Sequence, residues 1–101
     1  MKIGLLAPAQ RELLETVERY NQESDGLGFE FAAEFRRTVA RIEQFPEAWP
    51  LLSRRTRRCR MKRFPYGVIY QARGDILLIV GVMHLHRDPE AWKSRLGPDA
   101  T

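Results

Sequence analysis

The sequence predicts an α+β fold, with helices segregated from a mainly antiparallel sheet. Three observations predict it. Apolar residues recur at helical spacing from Leu13 to Phe45. The period changes to two after Trp49-Pro50. Arg73-Gly74-Asp75 then separates two apolar runs as a hairpin turn does.

Taken in order, residues 2–6 are short and mostly apolar and read as a first strand. Pro8 suits the opening turn of a helix, where its missing N–H has no partner to lose. Leu13, Val17 and Tyr20 continue that helix, and residues 21–28, rich in Ser, Asp and Gly, read as a turn. Leu27, Phe31, Phe35, Val39, Ile42 and Phe45 form the apolar stripe of a second helix, which Pro46 stops. Phe29 is grouped with these phenylalanines as core. The short connection implies an antiparallel helical hairpin.

In residues 58–62, Cys59 and Met61 point to one face and Arg58, Arg60 and Lys62 to the other. Pro65-Tyr66-Gly67 reads as a turn or bulge, residues 68–73 as the next strand, and residues 76–83 as a strand covered on both faces or central in the sheet. Asp88-Pro89-Glu90 is a helix-start signal for a short last helix over residues 91–95. Residues 1–96 are expected to form one domain and 97–101 a frayed tail.

The chain has 101 residues, enough for a single core. Its apolar runs fall short of the ~20 residues of a membrane helix, and the N-terminal segment is too short for a secretory signal. One cysteine, Cys59, allows no internal disulfide and suits a reducing cytoplasm. The net charge of +4 is unevenly spread: residues 1–47 carry nine acids and six bases, residues 48–74 eight bases and no acid, and residues 75–101 three bases and four acids.

The charge peaks where Arg54, Arg55, Arg57, Arg58, Arg60, Lys62 and Arg63 occupy seven of ten positions. Like charges on alternate residues of one strand face repel, so stability does not favour them. A rigid cationic ridge suits a polyanion or an acidic partner, because arginine's planar fork bonds two oxygens at once. His84 and His86 project to one side of an extended segment, yet Cys59 stands alone and no carboxylate completes a tetrahedral zinc site, so no metal and no cofactor is expected. General acid–base work on RNA by these histidines is a further option. Tyr66 beside the ridge is a candidate contact residue, whereas Tyr70 and Trp92 read as packing residues.

Residues 63–73 (Arg-Phe-Pro-Tyr-Gly-Val-Ile-Tyr-Gln-Ala-Arg), the strand that follows, and His84-Leu85-His86-Arg87-Asp88-Pro89-Glu90-Ala91-Trp92 resemble landmarks of the RelE/ParE superfamily of bacterial type II toxins, also called plasmid stabilisation proteins. Gly28-x-x-Phe31 and Ile42-x-x-x-Pro46 fit the same pattern, so the resemblance covers almost the whole chain. It implies a cytoplasmic toxin that arrests growth, is silenced by a cognate antitoxin, and assembles mainly through the antitoxin complex.

The superfamily divides by target. ParE-like members inhibit DNA gyrase without hydrolysis, and RelE-like members cut messenger RNA in the ribosome. The latter generally add a tyrosine or histidine near the C-terminus, and none follows Trp92 here. The ParE-like branch is therefore favoured, and enzymatic activity is left open, leaning to none. In a ribonuclease the candidates would be Arg58, Arg60, Lys62, Arg63, His84, His86 and Arg87. For antitoxin or target binding they are Arg54, Arg55, Arg57, Arg58, Arg60, Lys62, Arg63 and Tyr66. A non-catalytic nucleic-acid-binding module is the third reading.

Overall fold

The structure is a computed structural model that describes residues 1–87, 89–98 and 100–101. Strand β1 (Lys2–Leu5) leads into helix α1 (Ala7–Glu23) and helix α2 (Leu27–Gln44). Strands β2 (Arg57–Arg60), β3 (Tyr66–Arg73) and β4 (Ile76–His84) follow, then a 3₁₀ helix, Ala91–Arg95. The sheet order is β1-β4-β3-β2. β2, β3 and β4 pair antiparallel, and β1 pairs parallel with β4. The α+β arrangement expected from the sequence is the one observed.

β4 is apolar at nearly every position because it is central and covered twice. One sheet face, carrying Cys59, Val68, Tyr70, Leu77, Ile79 and Val82, packs under Phe31, Phe35, Val39 and Ile42 of α2. The opposite face is covered at Ile69 and Val80 by Trp92, which is 2% exposed. The two faces are reconciled by a register shift between Ile69 and Tyr70, opposite Val80. Burying Trp92 makes the 3₁₀ helix a structural plug, and truncation of a tryptophan in such a place costs about 3–5 kcal/mol.

The helical hairpin is tighter than residues 21–28 suggested. α1 continues to Glu23, and Ser24, Asp25 and Gly26 make the connection, with Gly26 left-handed at φ 84°. Gly28 sits where the helices cross, its N–H donating to Asn21 Oδ1 at 2.7 Å. Two phenylalanines read as core are not. Phe29, two residues from Leu27, lies off the apolar stripe and is 69% exposed, and Phe45 lies beyond the last helical residue and is 56% exposed. The stripe from Phe31 to Ile42 is buried.

The tail read as frayed is instead docked in its described part. Thr101 O accepts from Arg55 N at 2.9 Å and from Thr56 Oγ1 at 3.1 Å. Ser53 Oγ also donates to Thr101 O, and Gln71 Nε2 to Ala100 O. The helix-start residue Asp88 lies outside the described residues. The residue preceding the 3₁₀ helix is Glu90, which makes no side-chain cap.

Candidate functional site

The basic segment does not form one ridge. Strand periodicity holds over β2, with Cys59 buried and Arg60 exposed, but the strand ends at Arg60 instead of reaching Lys62. Lys62 and Arg63 belong to the turn, and Arg63 adopts φ 70°. That conformation swings its guanidinium over the Phe64 ring and onto Glu30 of α2, 2.7 Å away. Arg63 is thus engaged by one of the protein's own carboxylates and is not an open member of the ridge.

Arg57 shares a face with Cys59, and its Nη1 donates to Trp49 O at 2.8 Å. Tyr70, its cross-strand partner, donates its hydroxyl to Pro46 O at 2.6 Å. Burial pushes the Tyr70 phenol up to about 12. Both contacts fix the segment between α2 and β2, and Tyr70 serves packing as expected.

Arg58 and Arg60 lie on the opposite face. Their cross-strand partners are Ile69 and Gly67, which pair in turn with Gly81 and Met83. A Cβ on Gly67 would meet Arg58 Cγ and Cδ at 2.9 Å, so a glycine here lets the arginine stem lie flat on β3. Among the described residues, Arg58, Arg60 and Lys62 have no carboxylate partner. Arg58 and Arg60 are the part of the predicted ridge that remains on one face of β2, with exposed Lys62 following in the turn.

Tyr66 was expected in a turn. It opens β3 and is 4% exposed, its ring T-shaped against Phe31 and His84. Only its hydroxyl reaches outward, to accept from Arg19 Nη2. That hydrogen bond is the main reason the Arg19 guanidinium is held above its ordinary value. Tyr66 therefore cannot offer its ring face to a partner, while its hydroxyl edge lines a cleft of ≈ 290 Å³ with Arg19, His84, Arg87, Glu12 and Glu15.

His84 is the cross-strand partner of Tyr66 and shares the helix-covered face. His86 N donates to His84 Nδ1 at 3.1 Å, with the two rings 5.8 Å apart. Partial burial, then the charges of Arg87, His86 and Arg19, hold the His84 imidazole below its ordinary value. It is a hydrogen-bonded ring that shares a cleft with the Arg19 and Arg87 guanidinium groups. The candidates for RNA cleavage are thereby split: Arg58 and Arg60 lie on one face of the sheet, His84 lies on the other with Arg87 in its cleft, and Arg63 is turned to Glu30.

Two features were missed in the sequence. Glu12 and Arg95, 83 residues apart, form a two-pronged ion pair at 2.7 and 2.8 Å across one wall of the Tyr66 cleft. Only sequence distance hid it, since both residues are in plain helical contexts. The second is a larger cleft, ≈ 720 Å³, lined by Arg54, Arg55, Arg57 and Arg73 with the chain tail. Arg73 stands apart from the basic cluster in sequence and joins it only because β3 brings it there.

A sequence model of the family described as "ParE toxin of type II toxin-antitoxin system, parDE" matches residues 3–89. Among curated proteins no match was found. A solved structure described as "Chromosomal ParDE TA system from P. aeruginosa" superposes with a TM-score of 0.74 at 13% identity, covering 85% of this chain and 97% of that one. At that identity the likeness speaks for the fold. The family match spans β1 through β4 and ends beside Trp92, so the strand, hairpin and sheet described above are the features it recognises, and the chain belongs to the ParE toxin family of type II toxin–antitoxin systems.

Proposed function

We propose that this chain arrests growth by binding DNA gyrase in the cytoplasm, without catalysing a reaction, and that a cognate antitoxin silences it. The observation that carries the non-catalytic reading is that the sheet separates the β2 cations, Arg58 and Arg60, from His84, leaving Arg87 as the candidate cation in the His84 cleft. A ribonuclease needs a base and a cationic stabiliser converging on one phosphate, within hydrogen-bond reach. Arg58 and Arg60 lie on the face opposite His84, with β3 between them. Binding imposes no such convergence. The exposed Arg60 and Lys62, with the Arg58 head, make a cationic edge that complements an acidic segment of an antitoxin or of gyrase. Oligomerisation would then arise mainly through the antitoxin complex.

Cleavage of ribosome-bound messenger RNA is the second reading, favoured by one observation: His84 lines the smaller cleft together with Arg19 and Arg87, an imidazole among cations that an anionic substrate would meet. A paired experiment separates the two. Purified protein is added to gyrase with relaxed plasmid and, in parallel, to a translating extract scored by toeprinting. Loss of supercoiling with uncut messages is expected. Intact supercoiling at high molar excess, together with codon-dependent cuts, reverses the assignment.

A further inference from the structure

The larger cleft arises from a mismatch in strand length. β2 begins at Arg57, opposite Tyr70, so Gln71, Ala72 and Arg73 extend past it with no strand on that side among the described residues. Residues 46–55 and the described part of the tail close over this gap and leave a cavity of ≈ 720 Å³. That lies within the roughly 300–1,000 Å³ typical of small-molecule sites.

Its walls are chemically uneven. Arg54, Arg55, Arg57 and Arg73 share the described lining with one carboxylate, Glu47. Two of these cations are held in place: Arg57 by Trp49 O, and Arg73 by Gln71 Oε1, which accepts from its Nε at 2.8 Å. Each of these bonds uses a single donor of a guanidinium that has five. Arg54 and Arg55 are exposed, on a bend fixed at both ends by Leu52 N to Thr56 O (2.8 Å) and Arg55 N to Thr101 O (2.9 Å). Gln71, 1% exposed, and Thr56, fully buried, lock that bend to β3 through a 3.0 Å hydrogen bond. Among the described residues none of Arg54, Arg55 and Arg73 has a carboxylate partner. Four guanidinium groups outnumber one carboxylate, Glu47, among the described lining residues, and that excess favours an anion.

Beside the cations lie Leu51, 54% exposed, Pro46 and Pro98, which form an apolar shelf. We infer that this cleft binds a nucleoside triphosphate, its phosphate chain on the four arginines and its base against the Leu51 shelf. Glu47 sits at the same cleft and can accept from a ribose hydroxyl or an exocyclic amine. A nucleic-acid strand would call for an extended track of cations, whereas these line one concavity. The inference is independent of which target the toxin attacks.

The test is calorimetric titration of the whole chain with ATP, inorganic triphosphate and a ten-residue oligothymidylate, at two salt concentrations. Saturable one-to-one ATP binding is expected, weakened at least tenfold in Arg54→Ala with Arg73→Ala. Arg36→Ala, an exposed cation on α2, serves as the control and should leave it unchanged. Both variants alter exposed side chains, and circular dichroism confirms the fold. Triphosphate binding as tightly as ATP would mean that the shelf has no role and would overturn the nucleotide assignment. Tighter oligothymidylate binding would turn the cleft into a strand-binding surface and also overturn it. Absence of ATP binding at millimolar concentration, or equal losses in the Arg36 control, removes the site.

Discussion

Tyr66 and His84 stand opposite one another on β3 and β4, with ring centroids 5.3 Å apart and planes at 78°. The edge-to-face contact ties the histidine to the aromatic cluster of Tyr20, Phe31 and Phe64 on the helix side of the sheet. It also explains the histidine's electrostatics. A ring packed on one side, with Arg87 and Arg19 nearby, gains little from becoming a cation.

His84 should therefore titrate below 6.5, and Arg87→Ala should raise its midpoint toward that value. The unfolded chain takes up this proton first as pH falls. Its contribution to stability is present above 6.5 and is lost as pH drops from 6.5 toward the folded-state value. Proton-detected NMR of the imidazole follows both changes. A midpoint at or above 6.5 in the unaltered protein contradicts the assigned surroundings.

Much of this fold was legible because two periods are written cleanly into the chain. The stripe Phe31, Phe35, Val39, Ile42 names its own buried face, and the alternation of Cys59 with Arg58 and Arg60 names β2's. The site was less legible because it depends on where strands stop. Nothing local announces that β2 ends at Arg60 and that Arg63 turns through positive φ onto Glu30, 33 residues earlier. Tyr66 was misplaced for a related reason: Pro65 and Gly67 around it look like turn residues, yet the glycine serves close packing under Arg58. Phe29 shows the limit of composition, since an aromatic residue next to a core stripe is not on it.

The cationic edge gives a second expectation. Arg60→Glu with Lys62→Glu should abolish growth arrest while leaving the thermal midpoint nearly unchanged, since exposed substitutions usually alter stability by no more than about 0.5 kcal/mol. These two are cleaner than Arg58→Glu, whose stem packs on Gly67 and whose loss would mix binding with folding. Arg58→Glu with Arg60→Glu should also abolish arrest, at some added cost in stability. Growth arrest that persists in both double variants removes this edge from the interaction.

The Glu12–Arg95 pair supports a third. Glu12 Oε1 accepts from Arg95 Nη1 at 2.7 Å and from Val82 N at 3.1 Å, and Arg95 Nη1 also reaches Val80 O at 3.0 Å. The two side chains thus satisfy β4 where β1 has ended. Glu12→Gln should cost about 1–3 kcal/mol, the range for unmaking a partly buried charged hydrogen bond. Hydrogen exchange at the Val82 amide should accelerate more than at Val68. Equal protection of Val82 in both proteins would falsify the bridging role.

Gly28 makes the most demanding prediction. A Cβ there would lie 2.0 Å from Val17 O and 2.7 Å from Asn21 Cγ. The asparagine can rotate away, but a helix carbonyl cannot, so α1 and α2 must separate. Separation breaks the Gly28 N to Asn21 Oδ1 bond and loosens Tyr20 from Phe31, whose rings are 5.5 Å apart. Alanine is otherwise the better helix former by about 1 kcal/mol, and overpacking a tight contact typically costs about 1–3 kcal/mol or more. The clash with backbone dominates, so Gly28→Ala should destabilise the protein by roughly 2 kcal/mol or more. Chemical denaturation of Gly28→Ala beside Gly26→Ala separates the causes. At Gly26 an added Cβ would meet nothing within 4 Å, but the residue is left-handed, so its alanine variant reports backbone strain alone. A smaller loss at Gly28 than at Gly26 would mean that the helices do not cross as closely as the geometry requires.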